Sequence, residues 1–168
     1  RGNITDGTGT TFNSLIKSGT GAIGLRGNDD YTGFTQINAG TLVVGSLTAI
    51  PTVSQVILNG GVLGFWDLDF TLNNDVTSLT ATGSAFDVGD GRTLTQSATS
   101  NISGAGFTKI GFGNMVIQGN NSFGTLAVTG GAVQVSANDQ LGESVNTGTI
   151  KIPGSTPSTG VETTSTQP

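Results

Sequence analysis

The chain predicts an all-β fold, a single parallel β-solenoid of about seven coils, and three observations carry that reading. Glycine supplies 28 of 168 residues and charged residues only 10%, against roughly 25% charged in ordinary soluble domains. Apolar residues recur in pairs two apart, divided by glycine- and asparagine-rich turns, which is the period of a strand with one buried face. Two stretches also repeat each other 92 residues apart (109 − 17 = 92). A sandwich has no reason to reuse one pattern of roughly 30 residues, whereas stacked coils do.

In chain order, the first copy runs Lys17-Ser18-Gly19-Thr20-Gly21, Ile23, Leu25, Gly27-Asn28, Tyr31, Ile37, Gly40, Leu42, Val44. The second runs Lys109-Ile110-Gly111-Phe112-Gly113, Met115, Ile117, Gly119-Asn120, Phe123, Val128, Gly131, Val133, Val135, with one residue deleted between its halves. The pairs Ile23/Leu25, Leu42/Val44, Met115/Ile117 and Val133/Val135 are expected to point inward and be nearly buried, with Val56/Leu58, Phe70/Leu72, Phe86/Val88, Leu126/Val128 and Ile150/Ile152 forming further strand faces. Gly40 and Gly131 take matching corners where positive φ is needed, as do Asn28 and Asn120. Stacked Asn or Thr side chains can satisfy one another between coils. The solenoid is assigned to residues 1–152, with its diverged repeats at about 12–46 and 104–136. Asn3 to Phe12 and Thr147 to Ile152 read as strands. Residues 153–168, with Pro153, Pro157 and Pro168 among Ser and Thr, read as a linker or tail, or as a cover for an open coil end. Arg1 falls inside repeat-like sequence, so the chain reads as a fragment or processed piece of a longer protein.

Composition excludes several classes. The net charge is −5 and the six basic residues form no cluster, which argues against a nucleic-acid surface. No apolar run approaches the roughly 20 residues of a membrane helix, so no membrane insertion is expected. Cysteine and histidine are absent, which removes disulfides and the commonest general base.

Several motifs resemble catalytic or ligand sites and are read as structure instead. Gly19-Thr20-Gly21-Ala22-Ile23-Gly24 satisfies a dinucleotide fingerprint, but no helical pattern follows it, so it is a corner turn. Asp87-Val88-Gly89-Asp90-Gly91-Arg92 has the flavour of a calcium turn without the oxygens such a site needs. Asp29 with Asp30 and Asp67 with Asp69 are read likewise as solvated turn acids. Arg92 near Asp87 and Asp90 reads as a surface pair. Asn3-Ile4-Thr5, Asn101-Ile102-Ser103 and Asn120-Asn121-Ser122 match glycosylation sequons, which Asn-rich turns produce by chance. Phe65-Trp66 is the most distinctive local group: one of the two must face out, either packing in a groove or offering an aromatic to a sugar or partner.

On Leu15, Lys17, Gly19, Gly21, Ile23, Leu25, Gly27, Asn28, Tyr31, Gly33, Thr35, Ile37, Gly40, Leu42 and Val44, the chain resembles the passenger-associated repeat of bacterial autotransporters, the type V secretion proteins. Phe107, Lys109, Gly111, Gly113, Met115, Ile117, Gly119, Asn120, Phe123 and Val128 follow the pattern again, after the lead-in Ile102-Ser103-Gly104-Ala105-Gly106. The resemblance covers about residues 12–152. It implies a right-handed parallel β-helix, exported as part of a longer passenger whose repeats assist folding and transport.

The expected function is therefore a non-catalytic extracellular structural segment of a secreted bacterial surface protein: a stalk, spacer or coat. The alternative is an adhesin or self-associating module whose coil ends or side face contact partners or sister subunits and form filaments. Expected partners are sister copies or adjoining coils, with a host surface or glycan as a further possibility. No cofactor, catalytic residue or metal is expected, and a chelator should leave the melting temperature unchanged.

Overall fold

A computed structural model describes residues 2–9, 12–135, 138–141 and 149–151. Within them the chain winds as a parallel β-solenoid with three faces. The first face stacks β1 (Leu15–Lys17), β3 (Thr35–Ile37), β5 (Val56–Leu58), β8 (Val76–Ser78), β11 (Ile102–Gly104) and β14 (Ser122–Phe123). The second stacks β2 (Ala22–Leu25), β4 (Thr41–Val44), β6 (Val62–Phe65), β9 (Ala85–Val88), β12 (Phe107–Ile110), β15 (Thr125–Val128) and β17 (Thr149–Lys151). The third begins later, with β7 (Phe70–Leu72), β10 (Thr93–Gln96), β13 (Asn114–Ile117) and β16 (Ala132–Val135). A short 3-10 turn follows at Asn138–Leu141. Every strand pairing is parallel.

The coils are about six, not seven, with β17 opening a further one. They are uneven: Leu15 stacks on Thr35, twenty residues on, but Val76 stacks on Ile102, twenty-six on (102 − 76 = 26). A uniform coil length therefore overcounts them.

Strand alternation builds the core as columns. On the second face the register runs Ile23, Leu42, Leu63, Phe86, Lys109, Val128. Leu42, Val44, Val56, Leu58, Phe70, Leu72, Phe86, Val88, Met115, Ile117, Leu126, Val128 and Val133 are buried as expected. Phe86, Phe107 and Phe123 meet edge to face with centroids 4.9 and 5.1 Å apart, an arrangement favoured by the ring quadrupole.

Four expectations are corrected. Ile23 is 49% exposed, because β2 is the outermost strand of its sheet and only β4 stacks on it. Val135 is only half-buried. Positive φ among the described residues is confined to glycine; Gly40 and Gly131 adopt it, at 66° and 65°, while Asn28 and Asn120 do not. The described residues 3–9 and Phe12 form no strand, because side chains hold them: Asp6 accepts from the amides of Asn13 at 2.7 Å and Thr32 at 3.0 Å. Ile150, Ile152 and the tail 153–168 lie outside the residues whose side chains are described.

Candidate functional site

The two repeat lysines are turned inward and hold corners together. Lys109 lies in the core column of the second face, fully buried. Its ammonium donates to the carbonyls of Ile110 at 2.7 Å, Gly111 at 2.9 Å and Gly130 at 3.1 Å. Ile110 ends its own strand, Gly111 begins the turn that leaves it, and Gly130 belongs to the same corner one coil further. Lys17 repeats the arrangement, donating to Gly19 and, at 3.0 Å, to Ala39. Each lysine therefore clasps two successive turns. Burial pushes the Lys109 ammonium down to about 8, against an opposing pull from Asp87.

The glycines complete the clasp. A Cβ on Gly40 would collide with the carbonyls of Gly19 and Gly21 and stand 2.7 Å from Lys17 Nζ. A Cβ on Gly131 would collide with the Gly113 carbonyl and stand 2.9 Å from that of Gly111. Backbone must approach backbone here, which only glycine permits at positive φ.

The two clasps sit on different corners. Lys17 ends β1 on the first face and its turn leads to the second; Lys109 lies in β12 on the second face and its turn leads to the third. The sequence repeat is thus one strand–turn–strand unit used one face further round the solenoid.

The outer surface of the second face carries the distinctive aromatic. Phe65 is buried and Trp66 is 42% exposed, so Trp66 is the member that faces out. Its indole N–H donates to Asp87 Oδ2 at 2.8 Å. Gly64 makes room, since a Cβ there would lie 3.2 Å from Trp66 Nε1. Arg26 reaches past Gly45 to pair with Asp67 at 2.5 Å, two coils away. Arg92, by contrast, makes no ion pair with Asp87 or Asp90. Phe112, at the tip of the Lys109 turn, is 79% exposed.

The outer surface of the first face is polar. Gln55, Asp75, Thr77, Asn101, Ser103 and Asn120 help line a groove of about 650 Å³. Its side chains bond between coils, Gln55 to Thr77 at 3.0 Å and Thr77 to Ser103 at 3.3 Å. A second ladder lies inside: Gln96 donates to Asn121 at 2.7 Å.

The glycine motif at Gly19 runs directly into β2 rather than a helix, so it forms no phosphate cradle of the dinucleotide type. Among the described residues no group of three or more Asp, Glu, His or Cys side chains gathers as a metal cluster. No helix among them is long and apolar enough to cross a membrane. Asp29 departs from the sequence reading: it is 6% exposed rather than solvated.

Fold and clasps together define a repeat-built solenoid whose motif residues join one turn to the next. Residues 15–44 and 107–135 match the passenger-associated-transport-repeat family, and the chain carries two repeats of this autotransporter passenger family. It is also 35% identical over 132 residues to the adhesin BmaC autotransporter of Brucella suis biovar 1 (strain 1330). That match takes in 72% of this chain but 4% of the relative. No solved structure matches the chain.

Proposed function

We propose that this chain is a non-catalytic structural segment of a secreted surface protein, a spacer that carries other parts of a passenger away from the cell. The observation behind this reading is the inward use of the repeat lysines. A catalytic or ligand-binding lysine would present its ammonium to solvent or a cleft, whereas Lys109 is enclosed by three main-chain carbonyls. The likeness to an autotransporter adhesin supports an extracellular setting.

A second reading, adhesion, draws on the outward Trp66 beside Asp87 and Asp67, an apolar plate rimmed with acceptors of the kind that stacks on a sugar or partner. End-to-end association draws on the half-exposed Ile23. Immobilising the purified chain and measuring saturable binding to matrix glycoproteins and glycans separates these readings. A spacer shows none. Saturable binding that Trp66→Ala abolishes would replace it with the adhesin reading, and a mass that grows with concentration in light scattering would favour end-to-end association.

A further inference from the structure

Residue 29 is the repeat counterpart of Asn121 (121 − 29 = 92). Both are buried. In each, Oδ1 accepts a backbone amide from an earlier part of the chain, Ile4 at 2.8 Å and Ile102 at 2.7 Å respectively. The remaining side-chain atom differs. In Asn121 it is a nitrogen, which donates to the carbonyls of Gly119 at 2.9 Å and Gln140 at 2.6 Å. In Asp29 it is an oxygen, which cannot donate and is buried with no hydrogen-bond partner.

On the side of the bonded oxygen, Oδ1, further oxygens gather. Gly27, the counterpart of Gly119, has no side chain. A Cβ there would lie 2.7 Å from Asp29 Oδ1, 2.7 Å from the Gly2 carbonyl and 3.2 Å from Asn3 Oδ1. A carboxylate, a main-chain carbonyl and an amide carbonyl thus converge on one glycine. Each bonded oxygen, Asp29 Oδ1 to Ile4 and Asn3 Oδ1 to Asn28, keeps a lone pair. A buried carboxylate among acceptors is unfavourable unless a cation joins it.

We propose that this corner binds a calcium ion, with Asp29 as its charged ligand and the Gly2 and Asn3 carbonyl oxygens as neutral ones. Calcium accepts mixed oxygen donors in flexible geometry, whereas magnesium demands a tight octahedron. With one carboxylate the affinity belongs at the weak, extracellular end, roughly 10⁻⁴–10⁻³ M. The ion would fasten Gly2 and Asn3 to the first coil, beside the Ile4 amide that Asp29 Oδ1 already holds; in the second repeat the Asn121 amide nitrogen instead ties Gly119 to Gln140. The acid-cluster pattern that led the sequence reading to exclude a metal does not reveal this corner, because two of its three ligands are carbonyl oxygens.

The test is thermal melting of the chelator-treated protein, titrated with calcium chloride or magnesium chloride. At about ten times the dissociation constant, calcium should raise the wild-type Tm by roughly 3 °C, and magnesium by much less. Asp29→Asn installs the amide that the second repeat already uses, so it should fold, melt above calcium-free wild type and lose the calcium response. Isothermal titration should give one site in wild type and none in the variant. No calcium shift in wild type, an equal shift with magnesium, or a shift retained in Asp29→Asn would each overturn the proposal.

Discussion

Replacing Lys109 with methionine removes the ammonium and keeps an unbranched stem in the core column. Three carbonyls then lose donors at 2.7, 2.9 and 3.1 Å. Hydrogen bonds to a charged group contribute about 1.5–3 kcal/mol each, so their gross loss is roughly 4.5–9 kcal/mol. Relief from burying a charge, visible in the ammonium's fall to about 8, offsets part of this. So does the second lone pair that each carbonyl can offer elsewhere. A net loss on the order of 3 kcal/mol remains, or about 6–12 °C in Tm for a chain of this size. Urea unfolding followed by the fluorescence of Trp66 measures it, with the m-value unchanged. Lys109→Ala should lose more, because it also empties space in the column beside Phe86 and Val128. If Lys109→Met falls within about 0.5 kcal/mol of wild type, the range of an ordinary surface substitution, the clasp does not hold the turns together.

The same lysine gives a pH signature. Its folded value of about 8 lies below the ordinary 10.5, so the folded state sheds its proton first, and stability should be flat below about pH 8 and rise above it. Burial raises Tyr31 above its usual 10, which reverses the trend at still higher pH. Melting near pH 9.5 should therefore exceed that near pH 7.5 in wild type and not in Lys109→Met. Leu42→Asp places an unpaired charge in a fully buried column position, at a cost of several kcal/mol comparable to a domain's whole stability; unchanged melting would refute the column. Gly131→Ala should cost at least about 1–2 kcal/mol for the left-handed backbone alone, and more for the collision with the Gly113 carbonyl; a neutral result in urea would show that the corner can open.

The solenoid was legible in the sequence because period-two pairs, turn glycines and a long-range repeat all point the same way. Leu42, Met115 and Val133 are buried for the reason their spacing suggests. The lysines were legible as repeated but not as buried, since a lone Lys in an alternating strand reads as a solvated position unless the carbonyls around it are known. Their difference in face was not legible at all. A strand–turn–strand unit has the same local pattern on any face, and only the register of distant strands fixes the phase. Ile23 misled because the pattern gives a residue's inward direction but not whether a coil lies on both sides of it. Asp29 misled for a related reason: turn acids are usually solvated, and here residues 2–4 cover this one.

Spin-label distances test most directly the claim that one repeat unit is reused on successive faces. Thr41 and Thr108 are outward positions in a single column of the second face, linked through Val62 and Ala85, three strand spacings or roughly 14–15 Å apart. Gln36 lies on the first face, in the column headed by Ile16, the sequence-repeat counterpart of Thr108 (108 − 16 = 92). Labels at Thr41 and Thr108 should be closer together than labels at Gln36 and Thr108. The reverse order would place both repeats on the same face and contradict the account.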